Sequence, residues 1–274
     1  MLDKVIYKNH KGKTIEFGKN GIFLNMCNLR DYKWEYAKKN NKISGFSKSI
    51  VEKNMPVIIH CTSEEDGVEK KNRLFEVAEE DVLAFKHGEL IIGEYHLKCF
   101  VIGSSKDNYL INKGHLETKL NILTDYPEWT RETTTSFKPG TEAATVGQNL
   151  DYPHDYKYDY MNGMNNTRLN NAGFESDFEM IIYGSCSNPV IHVANHTYAV
   201  SATLETGEYL TINSKTKKIY KTRIDGSTEN QFHLRSRESY IFEKIPSGSN
   251  AVSWNGLFGF DITLLEERSE PKWI

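Results

Sequence analysis

The sequence predicts a mainly β protein of two domains, the first β-rich with one α-helix and the second a β-sandwich. Three observations point to β-structure in two parts. Apolar and polar residues alternate along most of the chain, the period of a half-buried strand. One segment, Val68 to His87, instead spaces Phe75, Ala78, Val82 and Phe85 by three and four, the period of an amphipathic helix. Between two strand-rich halves, Thr133 to Gly147 is rich in Thr, Ala and Gly, contains Pro139 and lacks periodicity, so it reads as a linker or long loop.

Each element follows in order. Tyr32, Trp34 and Tyr36 alternate with Asp31, Lys33 and Glu35, and Val57, Ile59 and Cys61 alternate with Ile58 and His60. The helix comes next, with Asp66 as expected N-cap, Gly88 as expected C′ residue and the phenylalanine stripe as its core face. Glu89 to Gly103 reads as a hairpin folded near Gly93-Glu94, and Leu116 to Leu123 continues the strand pattern. After the linker, Asp151 to Tyr160 alternates tyrosines with acids and is expected to be a structural packing strand. Phe178, Met180 and Ile182 form the next apolar face, then Tyr198, Val200, Ala202 and Leu204. Leu210 and Ile212 lead into a polar turn at Ser214–Lys217, and Ile219 leads out. Phe232 and Leu234 follow, then a turn at Ile245–Asn250, and a last strand with Phe258, Phe260, Ile262 and Leu264 on one face. Short strands about ten residues apart, joined by turns, describe a sandwich with no helix in this half. The domain bounds that follow are 1–140 and 150–274.

With 274 residues, 12% aromatic and 26% charged, the chain has the composition of a folded protein that needs no disulfides. Its formal net charge of −3, with only short basic clusters at Lys11/Lys13 and Lys215/Lys217/Lys218, argues against nucleic-acid binding. The four cysteines, Cys27, Cys61, Cys99 and Cys186, form no C-x-x-C pair, and three of them belong to apolar runs as small hydrophobes. This favours synthesis in a reducing compartment. The N-terminal Met1-Leu2-Asp3-Lys4 lacks the basic-then-apolar order of a signal peptide, and no apolar run reaches membrane-spanning length.

No catalytic constellation emerges. A phosphate loop, a G-x-S-x-G elbow and an H-E-x-x-H helix are all missing. Ser185-Cys186-Ser187 between a strand and Asn188-Pro189 reads as a turn with a buried thiol rather than a nucleophile. Glu64, Glu65 and Asp66, with Glu79, Glu80 and Asp81, read as solvated helix acids rather than a glycosidase pair facing across a cleft. His154 between Asp151 and Asp155 falls short of a metal-ligand set. Trp254 reads as core, with stacking on a sugar ring as the rival role. Catalytic, cofactor-binding and metal residues are therefore all expected to be none, with no cofactor and no enzymatic activity.

The segment Trp254 to Arg268 and the ending Ser269-Glu270-Pro271-Lys272-Trp273 resemble the closing strand of the distal tail protein (Dit) family of long-tailed phages. The Asp151–Tyr160 run resembles the start of that family's second domain, although Lys157 stands where a second proline is frequent. Arg73-Leu74-Phe75-Glu76-Val77, Gly88-Glu89-Leu90-Ile91-Ile92, Cys99-Phe100-Val101 and Trp129 are similar to its first domain. The resemblance implies a virion protein of the tail tip or baseplate, made in the host cytoplasm. In it, an N-terminal belt domain forms a homo-oligomeric ring, usually a hexamer, and a galectin-like domain points outward. The implied partners are the tail tube protein, the tail-associated spike and receptor-binding proteins, with DNA passing through the lumen unbound and no membrane contact. The alternative reading is a carbohydrate-binding module for host adsorption. A third, a polysaccharide-degrading enzyme, requires two carboxylates facing each other in a pocket.

Overall fold

The computed structural model describes residues 4–25, 27–110, 114–140 and 167–273. The chain divides into two compact units, residues 1–131 together with 267–274, and residues 132–266. Asp151 to Tyr160, with His154, lies outside the described residues.

In the first unit the strands are β1 (Val5–Lys8), β2 (Thr14–Phe17), β3 (Ile22–Leu24), β4 (Glu35–Lys39), β5 (Lys42–Ser47) and β6 (Val51–His60). Helix α1 (Glu64–Ala84) follows, then β7 (Gly88–Ile92), β8 (Tyr95–Leu110), β9 (His115–Thr124) and the start of β10 (Trp129–Phe137). All pairs are antiparallel. Strand β1 lies between β2 and β7. The hairpin expected at Gly93-Glu94 is present, with Gly93 at φ 60 in the turn. Strand β8 serves two ladders: Tyr95 to Cys99 pair with β7, and Phe100 onward pair with β9, which pairs with β6 and through it β3. Alternate residues face inward as their spacing predicts. Met55, Val57 and Ile59 of β6 and Leu116, Leu120 and Ile122 of β9 join Leu90, Leu97 and Cys99 in one core.

Helix α1 forms but differs in three ways. It starts earlier, because Ser63 is the N-cap: its hydroxyl accepts from the Asp66 backbone N–H (3.1 Å), while the Asp66 carboxylate accepts from the Thr62 N–H (2.9 Å). It ends at Phe85 in a left-handed conformation (φ 50), not at Gly88. Gly88 is instead needed for room, since a Cβ there would collide with the Tyr7 hydroxyl and the Asp81 carboxylate. The buried face is Gly67, Leu74, Val77, Ala78 and Asp81, packed on β8, β2 and β6. The expected core stripe is largely solvent-facing: Phe75 is 62% exposed, Val82 38% and Phe85 87%. The two faces share one periodicity, and the spacing alone does not say which is buried.

In the second unit, residues 132–137 of β10 join β11 (Thr167–Asn171), β12 (Asp177–Tyr183), β13 (Cys186–Ser187), β14 (Val190–Val193), β15 (His196–Ala199) and β16 (Thr203–Leu204). They are followed by β17 (Tyr209–Asn213), β18 (Lys218–Thr222), β19 (Thr228–Asn230), β20 (Gly248–Trp254) and β21 (Phe260–Arg268). One sheet runs β19-β18-β17-β12-β21-β10 and the other β11-β20-β14-β15, a two-layer sandwich. Phe178, Met180, Ile182, Phe260, Ile262 and Leu264 of the first sheet meet Leu169, Ile191, Val193 and Val252 of the second in one core. Two local expectations are corrected. Thr133 to Phe137 is strand rather than loop, its β-branched threonines suiting a pleated surface even without apolar alternation. Phe232 to Leu234 forms a short 3-10 helix rather than strand.

Candidate assembly surface

The segment read as a half-buried strand around Tyr32, Trp34 and Tyr36 is not buried. Strands β4 and β5 pair only with each other, and every residue of both is exposed. Asn40 (φ 50) and Asn41 (φ 60) close the two-residue turn, which demands left-handed backbone at both positions and so suits asparagine. Cross-strand partners are Tyr36 with Phe46 and Lys38 with Ile43, with a register shift that leaves Ser44 unpaired. Without that bulge, Ile43 and Phe46, three residues apart, would point to opposite faces. With it, Trp34, Tyr36, Ile43 and Phe46 share one face. Trp34 meets Phe46 edge-on, with centroids 6.5 Å apart.

The hairpin's root is firmly held. Lys48, almost buried, pairs with Glu128 (2.7 Å), donates to the Ser269 hydroxyl (2.6 Å) and lies 4.4 Å from the Trp34 ring centroid. Lys53 donates to the backbone carbonyls of Asn28 (3.3 Å) and Asp31, and its burial pulls its ammonium below the usual lysine range. The hairpin is thus an arm with a fixed root and an uncovered apolar face. Two strands alone are marginal in water and need a covered face. Sequence reasoning read the aromatic alternation correctly as a face but assigned it to the core. The lysines at both ends of the turn, Lys38, Lys39 and Lys42, are the signal for a solvent-projecting tip.

Residues weighed for chemistry have structural partners. Asp81, expected on the solvated face, is fully buried: the Tyr7 hydroxyl donates to Oδ2, and the His10 N–H (2.9 Å) and Nδ1 meet Oδ1. Burial, reinforced by that carboxylate, pushes the Tyr7 hydroxyl up. Glu80 accepts from Lys13 (2.6 Å) and Asn9 (2.7 Å), which hold its carboxyl below the usual range. Asp66 is held low by Lys70 (2.6 Å) and the Thr62 N–H. Cys186 packs against the sandwich core, where burial pushes its thiol up, away from nucleophilic character. Trp254 is 4% exposed, its indole N–H donates to the Phe258 carbonyl (2.9 Å), and its ring packs edge-on to Phe137 and Phe260. It has no free face to offer a sugar. Among the described residues no group of three or more His, Cys, Asp or Glu could hold a metal ion.

No protein-family model matches the chain. No curated protein matches its sequence. Solved structures do match. The Dit protein of phage SPP1, described as a paradigm of the hub adsorption apparatus in phages infecting Gram-positive hosts, superposes with a TM-score of 0.62 at 10% identity. The match covers 98% of this chain and 100% of that one. A chain of the phage P2 baseplate, in its activated conformation with Ca, gives a TM-score of 0.59 at 12% identity, covering 99% of this chain and 100% of that one. From its first strand to its last, the chain carries the fold of the phage Dit and baseplate proteins.

Proposed function

We propose that the chain is a structural protein of a phage tail tip, whose copies close into a ring between the tail tube and the adsorption apparatus. The observation that carries this reading is the match of fold over nearly the whole length of both this chain and the hub and baseplate chains. The exposed β4–β5 arm supports it, because an apolar blade of four large side chains needs a partner surface. In this reading residues 1–140 are the belt that builds the ring, probed by the arm, and residues 150–274 form the outward domain that docks the spike and receptor-binding proteins. A hexameric ring is the state expected from the resemblance, with DNA passing through a neutral or acidic lumen. Among the acids weighed for glycoside hydrolysis, Asp66, Glu80 and Asp81 are engaged by lysines, backbone and Tyr7, which supports a non-enzymatic role.

The test is native mass spectrometry with negative-stain imaging of the purified chain. Closed rings with a central opening are the expected result. A chain that stays monomeric at high protein concentration would end the ring assignment, and a lumen lined by Lys and Arg would end its electrostatic part.

A further inference from the structure

Two uncovered surfaces in the first unit remain to be explained, and they fit each other. One is the aromatic face of the arm. The other is the exposed stripe of α1. At about 100° per residue, Val68, Phe75 and Val82, seven apart, fall within a narrow band roughly a quarter-turn or more from the buried Leu74 and Asp81. All three are exposed, Phe75 by 62%. Beside the stripe runs a groove of about 340 Å³ between α1 and strands β8 and β9, with Leu74, Phe75 and Ala78 on one wall and Val101, Ile102 and Leu116 on the other. A register shift in β8 at Ile102 leaves that side chain 46% exposed at the groove's mouth. An aromatic or aliphatic side chain has the size to fill such a space.

The charges select the partner. The arm from Lys33 to Ser47 carries four lysines, Lys33, Lys38, Lys39 and Lys42, against the single acid Glu35. Helix α1 carries eight carboxylates against three bases. On the helix wheel the solvent side of the stripe is bordered by Glu65, Glu69 and Glu76, and Glu79 stands with the bases Lys71 and Lys106 at the groove. An apolar band edged with acid thus matches an apolar blade tipped with lysine. Like-charged tips and edges would repel, so the arm does not suit a second arm, nor α1 a second α1.

We propose that the β4–β5 arm of one copy docks on the α1 stripe and groove of the next, with Phe46 and Ile43 against Phe75 and Ile102, and Lys39 and Lys42 among Glu76 and Glu79. This rests on the assembly of copies proposed above and names its interface. Arm and groove are different surfaces, so the contact is head-to-tail, the kind that builds a ring where the rotation between copies closes and a filament where it does not.

The experiment uses the full chain and two single variants at exposed positions, Phe46→Asp in the arm and Phe75→Asp on the helix, each checked for a native circular dichroism spectrum and melting temperature. Each variant alone is expected to be monomeric by native mass spectrometry. Mixed one to one, they are expected to give a heterodimer and nothing larger, because one intact arm meets one intact groove and the chain of contacts then stops. In the unaltered protein, a zero-length amine-to-carboxylate cross-linker applied to a mixture of isotope-labelled and unlabelled copies should join Lys39 or Lys42 of one copy to Glu76 or Glu79 of another. Rings that persist in Phe75→Asp while Phe46→Asp abolishes them would overturn the landing site and leave the ring reading standing. A mixture that stays monomeric would likewise overturn it. A wild-type chain that never assembles would instead remove the reading on which it rests.

Discussion

At the residue scale, Asp81 is a fully buried carboxylate of the first unit. It sits on the buried face of α1, yet it is a carboxylate with contacts from Tyr7 and His10 on the N-terminal strand and turn. Removing it leaves the buried Tyr7 hydroxyl and the half-buried His10 without their carboxylate partner. Asp81→Ala is expected to cost about 3–5 kcal/mol, the range for breaking one side of a buried polar pair. The measurement is chemical denaturation, with hydrogen exchange in β1 and β7 locating the loss; no change in either would mean the triad contributes nothing. This residue also marks a limit of sequence reading. Glu79, Glu80 and Asp81 stand in a row, and composition treats them alike. Only the return of β1 across the helix separates the buried one. By contrast, Trp254 was legible as core because it alternates in phase with Val252 on β20.

At the element scale, α1 carries carboxylates paired with lysines. Hydrogen bonds from Lys13 hold Glu80 low, and those from Lys70 hold Asp66 low. A carboxylate held below its unfolded value, 4.5 for Glu80, contributes stability above that value and loses it as pH falls through the lowered folded value. The urea midpoint of the protein should therefore fall as pH drops below about 4.5, and Glu80→Gln should show a smaller fall than the wild type. An equal fall in both would remove Glu80 from the account. Most strands were readable because period-two alternation coincides with burial on β6, β9, β12 and β21. Three elements were not, for separate reasons. The arm has the same alternation with nothing packed on it. The helix has two apolar bands at one period. The Thr133–Phe137 strand has hydroxyls where apolar residues would have announced it.

At the scale of the whole molecule, the positions at which the chain passes between its two units were not legible in the strand spacing. The chain leaves the first unit within β10 and returns to it within β21, and a break inside a strand has no local signature. Residues 267–273 complete the first unit. Arg30 lies 3.8 Å from the Trp273 ring centroid, donates to the Pro271 carbonyl (2.7 Å) and stands 3.9 Å from Glu270. Trp273→Ala is expected to lower the stability of this unit by about 0.5–1 kcal/mol, the value of an exposed cation–π contact. Arg30→Ala should cost more, about 2–3 kcal/mol, because its charged hydrogen bond is lost too. Denaturation curves of the two variants give the order, and a reversed order would count against it. The returning tail also sets a clock. Between the emergence of Arg131 and that of Glu267 the ribosome makes the whole second unit, which takes about 7–27 s at ~5–20 residues per second. Through that interval the root lysine Lys48 lacks Ser269 and Arg30 lacks its clasp, so a nascent chain holds an unfinished first unit. The first unit is therefore complete only after the whole second unit has been synthesised.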